Sequence, residues 1–464
     1  MLKIVFLILM AGGVPVAIAM AGSSLIYIAS SGNLPPFVVI HRMIGGIDSF
    51  PLLAVPFFIL AGNLMNNAGI TNRIYNFALA LVGWMKGGLG HVNVVGSVVF
   101  AGMSGTAIAD AAGLGTIEIK AMKDHGYETE FAVGVTAASA TLGPIIPPSL
   151  PFVIYATMAN VSVGALFLAG LLPGLLMAFL MMLTVAYFAH KNGWGGDIKF
   201  SATRFGKAVI ETAVVAIWPV ALYYIVQAGG QPQVTVIAGL IVLFAADRYF
   251  RFEAVLPIMT PVLLIGGMST GIFTPTEGAI AACVWAMALG LGWYRTLTWK
   301  RFVKVCLETV ETTSTVMFIV AAASIFGWML TATGVTAAIA QWVLAFTQEP
   351  WVFLLLANVL MLFVGCFLEP TAAITILVPL LLPIAQKLGI DPVHFGLVMV
   401  LNLMIGLLHP PMGMVLFVLA RVAKLSVERT TMAILPWLIP LLGSLIILTY
   451  VPAVGLWLPR LMGL

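Results

Sequence analysis

Gly143-Pro144-Ile145-Ile146-Pro147-Pro148-Ser149 lies inside an apolar stretch, about Glu128 to Asn160, long enough to cross a bilayer. Proline removes an amide donor and clashes with the preceding turn, so a helix through this stretch has to break. The event recurs. From about Val393 the chain is apolar up to Gly406-Leu407-Leu408-His409-Pro410-Pro411-Met412-Gly413 and then runs on to Arg421 and Lys424. Gly143/Gly406, Pro147/Pro410 and Pro148/Pro411 are each 263 positions apart, as are Gly102/Gly365, Leu172/Leu435 and Pro173/Pro436. A weaker echo joins Gly69-Ile70-Thr71 to Gly334-Val335-Thr336. The chain therefore reads as two related units, each with a broken helix.

Composition says what surrounds them. Of 464 residues, 61% are hydrophobic and 8% charged, where a soluble domain carries roughly 25% charged residues. So little charge cannot cover a water-facing surface, so the surface faces lipid. Stretches of about 20 apolar residues, enough for a spanning helix, recur. The ten-residue alternation of a membrane β-barrel does not. The fold class is an all-α integral membrane protein. The net charge of +4 sits in short loops, which is a topology signal and gives no reason to expect nucleic acid. Cys283, Cys306 and Cys366 lie in apolar segments without metal or redox spacing and read as small buried hydrophobes. The run Ile4 to Ala29 after Lys3 exceeds a signal-peptide core and reads as a first transmembrane helix.

Loop charge orients the units. Basic residues cluster at Lys86, Lys120/Lys123, His190 to Lys207, Arg248/Arg251, Arg295 to Lys304 and Arg421 to Arg429, all assigned to the cytoplasm. Gly87 to Ile119 then begins and ends on one side, with the poor helix sequence Gly102-Met103-Ser104-Gly105-Thr106 at its middle. It reads as a re-entrant hairpin. A helix from Ala165 to Ala189 returns to the cytoplasm. Trp351 to Lys387 makes a second hairpin with Gly365-Cys366-Phe367-Leu368-Glu369-Pro370-Thr371 at its tip, flanked by the acids Glu349 and Asp391. The two units thus have opposite topology. Inverted repeats with paired discontinuous helices point to a secondary transporter whose site is near the bilayer midplane. Between them Ala208–Gln227 and Val234–Ala246 read as two spans, followed by another break within Gly266 to Gly278.

Broken helices leave carbonyls and amides that lipid cannot satisfy, so such backbone lines a cavity or is buried in protein. Free carbonyls with Ser/Thr hydroxyls suit a hard cation such as Na⁺, and half-helix N-termini suit a substrate carboxylate. The first tip (Ser104, Thr106) against Gly143–Ser149 is one candidate cation site, and the second tip (Thr371) against Gly406–Met412 is the other. The competing reading is packing kinks alone. Asp110, Glu277 and Glu369 are acids at membrane depth, where a charge is costly and marks function by default. The alternative for each is a carboxylate capping a helix end, most of all for Glu277 after its Thr-Pro-Thr turn. Glu118 is expected to be solvated near the hairpin base. His91, His125, His190 and His394 are expected at polar segment ends, and His409 deeper. Trp194, Trp218 and Tyr249 are interface-belt candidates. No phosphate loop or His-Glu-x-x-His occurs, so ATP hydrolysis by this chain is not expected.

Gly102–Thr106 with Asp110, Gly126-Tyr127, Gly143–Ser149 with Tyr155, Gly271-Ile272-Phe273-Thr274-Pro275-Thr276-Glu277, Leu380-Leu381-Leu382-Pro383-Ile384 and the Pro410-Pro411 break together resemble the large membrane subunit of TRAP (tripartite ATP-independent periplasmic) transporters. The likeness runs over nearly the whole chain. It implies an elevator-type, inverted-repeat carrier of a bacterial inner membrane, with Na⁺ as coupling ion and no organic cofactor. A periplasmic binding protein would deliver a small organic acid such as a C4-dicarboxylate or sialic acid. A separate small four-helix membrane subunit would brace the scaffold. Ser104, Thr106 and Asp110 match the family's first ion site, and Glu369 an acidic position in its second hairpin. The candidate Na⁺ ligands are Gly102, Ser104, Thr106, Asp110, Gly143, Ile146, Gly365, Glu369, Thr371 and Gly406. The candidate substrate ligands are Ser104, Pro148, Ser149, Glu369, Thr371 and Pro411. The implied domains are 1–86 (scaffold and arm), 87–190 (first transport repeat), 191–253 (loop and additional pair), 254–348 (scaffold and arm) and 349–464 (second transport repeat). The pair within 208–252 departs from the family's usual single span.

Three other readings compete: a stand-alone carboxylate or ion exchanger, an intramembrane enzyme using Asp110 or Glu369, and a purely structural subunit. The enzyme lacks an identifiable second catalytic group, and the symmetric breaks argue against a structural role.

Overall fold

The computed structural model describes residues 1–464 except 33, 230, 251, 253, 270–272, 410–412 and 464. Among the described residues the chain is helical throughout, its one extended pairing a bridge between Lys86 and Gly196. The single first span expected over Ile4–Ala29 is in fact two helices, α1 (Leu2–Ala11) and α2 (Val16–Ser31). Gly13, at φ +76°, and Pro15 separate them, and the two pack on each other.

The first unit follows as α3 (Phe37–Ile47), α4 (Ala54–Asn67), α5 (Ile70–Val82), α6 (Gly88–Ser104), α7 (Ala107–Ala112), α8 (Leu114–Asp124), α9 (Thr129–Ala140), α10 (Leu150–Ala159) and α11 (Val163–Lys191). The interposed pair is α12 (Ala202–Gln227) and α13 (Pro232–Phe250), and α14 (Val255–Ser269) and α15 (Pro275–Met287) flank the next break. The second unit is α16 (Trp299–Ala332), α17 (Val335–Phe346), α18 (Pro350–Gly365), α19 (Pro370–Lys387), α20 (Pro392–Gly406), α21 (Met414–Ala423), α22 (Val427–Tyr450) and α23 (Ala453–Leu461). Among the described residues six helical runs are long and apolar enough to cross a bilayer: Phe50–Asn67, Val163–Lys191, Pro275–Trp293, Trp299–Ala332, Pro370–Lys387 and Val427–Tyr450. This is a multi-pass membrane architecture.

The repeat is visible helix by helix. Residues 107–124 and 370–387 correspond at both ends with the 263-residue offset, and Thr129 and Pro392 open α9 and α20. Past the second break the offset is 264, pairing Leu150 with Met414, Val163 with Val427, and the left-handed caps Asn160 and Lys424. The Leu172/Leu435 and Pro173/Pro436 coincidences are therefore one position out of step with their helices. Caps repeat too. Thr106 and Glu369 accept from the amides of Ala109 and Ala372, and Ser162 and Ser426 from those of Ala165 and Arg429.

The units interlock: α9 packs on α22, α11 on α20, α10 on α19 and α7 on α21. Lipid is as apolar as leucine, so close approach rather than water exclusion holds such helices together. Small residues supply it. A methyl at Gly396 would lie 2.2 Å from the Tyr155 ring, and one at Gly134 would lie 2.5 Å from Trp437. The Tyr155 hydroxyl donates to the Pro392 carbonyl at 2.6 Å, which joins the two units by a hydrogen bond.

At the expected cytoplasmic end, the segment after α11 straps the start of α6. Gly87 donates to the Gly195 carbonyl, and Asp197 Oδ2 accepts from the Leu89 amide (2.8 Å) and the Tyr127 hydroxyl (2.6 Å). Trp194 stacks into this corner, 4.6 Å from the Tyr127 and Phe131 rings, which makes it a packing residue. His125 and His190 are exposed, as expected, but His91 and His394 are buried at 2% exposure, because α6 and α20 are sunk among other helices along their whole length.

Candidate functional site

Ser104 is the last residue of α6, Gly105 turns the chain at φ +64°, and Thr106 caps α7. This tip lies on the first break. A methyl at Gly105 would fall 2.8 Å from the Pro148 carbonyl oxygen, and one at Gly143 would fall 3.0 Å from that of Thr106. Ser104, Thr106, Gly143 and Pro148 are thus brought together, as the sequence led one to expect. Gly102 instead backs onto Pro261 of α14, and Ile146 packs on Gly174 of α11. Ser149 is fully buried and its hydroxyl is engaged locally, donating to the Pro144 carbonyl and capping the Phe152 amide.

The second tip meets the second break backbone to backbone: a methyl at Gly406 would lie 2.7 Å from the Gly365 Cα. Glu369 is the N-cap of α19, its carboxylate accepting from the Ala372 amide (3.2 Å) and the Thr371 hydroxyl (2.8 Å). Both candidate side chains of this tip thus belong to one cap. Pro411 lies outside the described residues, as do Gly271 and Ile272 of the third break. Glu277 is not buried. It is an exposed member of a capping box with Thr274, the alternative weighed for it above. His409 is half-buried, its Nδ1 3.0 Å from the Ile405 carbonyl.

Behind the first tip lies a polar cluster that the sequence did not reveal. Asp110 and Glu118 are each 1% exposed, so Glu118 is not the solvated residue expected near the hairpin base. The break at Gly113 turns α8 so that Glu118 faces α6 and α9. Asn93 is the hub. Its amide nitrogen donates to Glu118 Oε2 (2.6 Å) and Thr136 Oγ1 (2.7 Å), and its oxygen accepts from Ser139 Oγ (2.7 Å). Ser97 lies next to Asp110, yet Ser97 Oγ, Asp110 Oδ2, Glu118 Oε1 and Ser104 Oγ are buried with no hydrogen-bond partner of good geometry among the described residues. No basic side chain among them pairs with either carboxylate. Two buried carboxylates without counter-charge cost several kcal/mol each, so the arrangement suits a bound cation. The spacings Asn93/Ser97 on α6 and Thr136/Ser139 on α9 could have flagged it, since each pair shares a helix face. The matching positions of the second unit, Leu356, Leu360, Ala373 and Leu381, are apolar. Its polar network is neutral instead, with Asn402 donating to Asn358 and Asn358 to Thr449.

The profile of the family described as "Tripartite ATP-independent periplasmic transporter, DctM component" matches residues 3–454. The chain is 41% identical over 453 residues to the sialic acid TRAP transporter large permease protein SiaM of Vibrio cholerae, covering 98% of this chain and 96% of that one. It is 33% identical over 470 residues to the C4-dicarboxylate TRAP transporter large permease protein DctM of Rhodobacter capsulatus, covering 98% and 97%. The fold resembles that of the YdaH transporter of Alcanivorax borkumensis, with a TM-score of 0.61 at 15% identity over 91% of this chain and 89% of that one.

Proposed function

Because this chain belongs to the DctM-component family of tripartite ATP-independent periplasmic transporters, we propose that it is the Na⁺-coupled permease of such a system. In this reading it sits in a bacterial inner membrane and imports a small organic acid. The named cargoes of its relatives, sialic acid and C4-dicarboxylates, define the class. A periplasmic binding protein delivers the acid, and a small membrane subunit braces the part formed by 1–86 and 254–348. The units 87–190 and 349–464 are inverted, their hairpins are re-entrant, and together they move as the carrying body of an elevator. Na⁺ is a transported substrate here. At the first site it is held by the Ser104–Thr106 backbone and hydroxyls, the Gly143 break and Asp110. At the second site the oxygens of Gly365, Gly406 and the Glu369–Thr371 cap hold it.

The observation that carries this reading is the buried Asp110 behind the first tip, whose Oδ2 has no hydrogen-bond partner of good geometry among the described residues. Such a group is matched to an ion that arrives and leaves. The test is uptake by the complex, reconstituted with binding protein and small subunit, against external Na⁺ at fixed pH and membrane potential. Asp110→Asn and Ser104→Ala are expected to raise the half-maximal Na⁺ concentration at least tenfold, and Glu369→Gln to act similarly at the second site. Uptake that ignores Na⁺ and follows an imposed proton gradient would sink the coupling ion. Robust uptake by this chain alone would favour a stand-alone exchanger.

A further inference from the structure

Far in sequence from the ion sites, three arginines converge. Arg73 opens α5, Arg248 closes α13, and Arg295 lies in the turn after α15, with its backbone in the left-handed region at φ +53°. They line a cavity of ≈ 700 Å³ with Trp293, Tyr294 and Asp247. The elements that carry the arginines are tied to one another. The Arg73 guanidinium lies 4.0 Å from the centre of the Tyr294 ring. Thr296 donates to the Ala68 carbonyl at 2.6 Å and ties the Arg295 turn to the start of α5. Trp293 Nε1 donates to Asp247 Oδ2 at 2.9 Å and ties that turn to α13. Among the described residues none of the three guanidiniums has a carboxylate partner. Surface arginines commonly follow the positive-inside rule without binding anything, and that rule asks for no shared cavity. Here arginines from three separate elements line one cavity, none of them in an ion pair among the described residues, and the Arg73 guanidinium is held on the Tyr294 ring.

The geometry points to a binding site for the phosphate headgroup of an anionic phospholipid in this cavity. Guanidinium forks match phosphate oxygens, and basic pockets between helices on the cytoplasmic side take such headgroups. The surroundings favour a lipid over a free anion: Tyr249 and Phe250, 82% and 57% exposed, follow Arg248, and Phe250 stacks on the Phe252 ring of the cavity wall, an aromatic fringe of the kind found at headgroup depth. The site joins the interposed α13 to α5 and to the end of α15, so a lipid there would cement the additional pair to the body of the permease.

The test is native mass spectrometry of the purified full chain, titrated with phosphatidylglycerol, cardiolipin or phosphatidylcholine. Wild-type protein should retain one anionic lipid at least fivefold more strongly than phosphatidylcholine. The triple variant R73Q/R248Q/R295Q should lose that preference. Arg248→Gln alone, on an exposed face where folding is not at stake, should reduce it at least threefold. A control removing three cytoplasmic charges elsewhere, K199Q/K300Q/K424Q, should keep it. Short-chain phosphatidylglycerol should compete, and inorganic phosphate at the same concentration should not. An unchanged preference in the Arg248 variant, equal loss in the control, or equal competition by inorganic phosphate would each overturn the assignment.

Discussion

At the residue scale the glycines are the sharpest constraint. Gly365 and Gly406 touch through their backbones, and a side chain on either meets main-chain atoms that cannot rotate away. Overpacking costs about 1–3 kcal/mol where side chains yield, so Gly406→Ala is expected to cost about 3 kcal/mol and to lower the melting temperature in detergent. Gly45→Ala, in a helix with open space around it, should be neutral or stabilising by about 0.5 kcal/mol. Equal effects of the two would remove the contact from the account. Such positions were legible because glycine and proline break helices by local rules, so Gly143 and Gly406 announced themselves. Glu118 was not legible: its burial depends on the Gly113 turn and on Asn93, 25 residues away. Glu277 and Glu369 show the converse, since a carboxylate at the N-cap or three residues after it satisfies local cap geometry whether or not it also meets an ion.

At the scale of elements, the helix ends around the Gly/Pro breaks fell within a few residues of expectation, because length and Gly/Pro punctuation determine them. The first span did not, since a Gly-Gly followed by proline inside 26 apolar residues looks continuous to a hydropathy window. The strap after α11 was equally invisible, being built from bonds between residues about 70 to 110 positions apart. Its strength rests on Asp197, which joins the start of α6 to Tyr127. Burial, then the bond to the Asp197 carboxylate, hold the Tyr127 phenol well above its usual range, so the phenol stays a neutral donor throughout physiological pH. Tyr127→Phe is expected to cost about 1.5–3 kcal/mol, with the same loss at pH 6 and pH 9 by thermal unfolding. A loss that vanishes at pH 9 would mean the phenol ionises there in the wild type and the latch is already open.

At the scale of the whole molecule, the two units are alike in sequence and unlike in their contacts. Gly62 of α4 and Gly327 of α16 are 265 positions apart, as are the left-handed Gly69 and Gly334. Gly62 abuts the tip of the first hairpin, where a methyl would lie 3.1 Å from the Ser104 carbonyl oxygen, whereas Gly327 abuts Pro379, well down α19. Likewise α5 packs on α6, while α17 turns from its neighbour to pack on α19. If the carrying body slides between two end positions related by the repeat, the other position exchanges these contacts. Gly327 should then meet Phe367, the counterpart of Ser104, and Gly62 should meet Thr116, the counterpart of Pro379. From Pro370 to Pro379 the helix rises about 14 Å, too far for one cysteine to bridge both places at once, since a disulfide needs Cα atoms within about 7 Å. In a background lacking Cys283, Cys306 and Cys366, G327C/P379C and G327C/F367C should therefore both cross-link during turnover, each locking one position. Either lock should stop uptake, and reduction should restore it. A 327–367 pair that never forms while uptake proceeds would mean that the asymmetry is fixed architecture and that transport does not run by exchange between the two units.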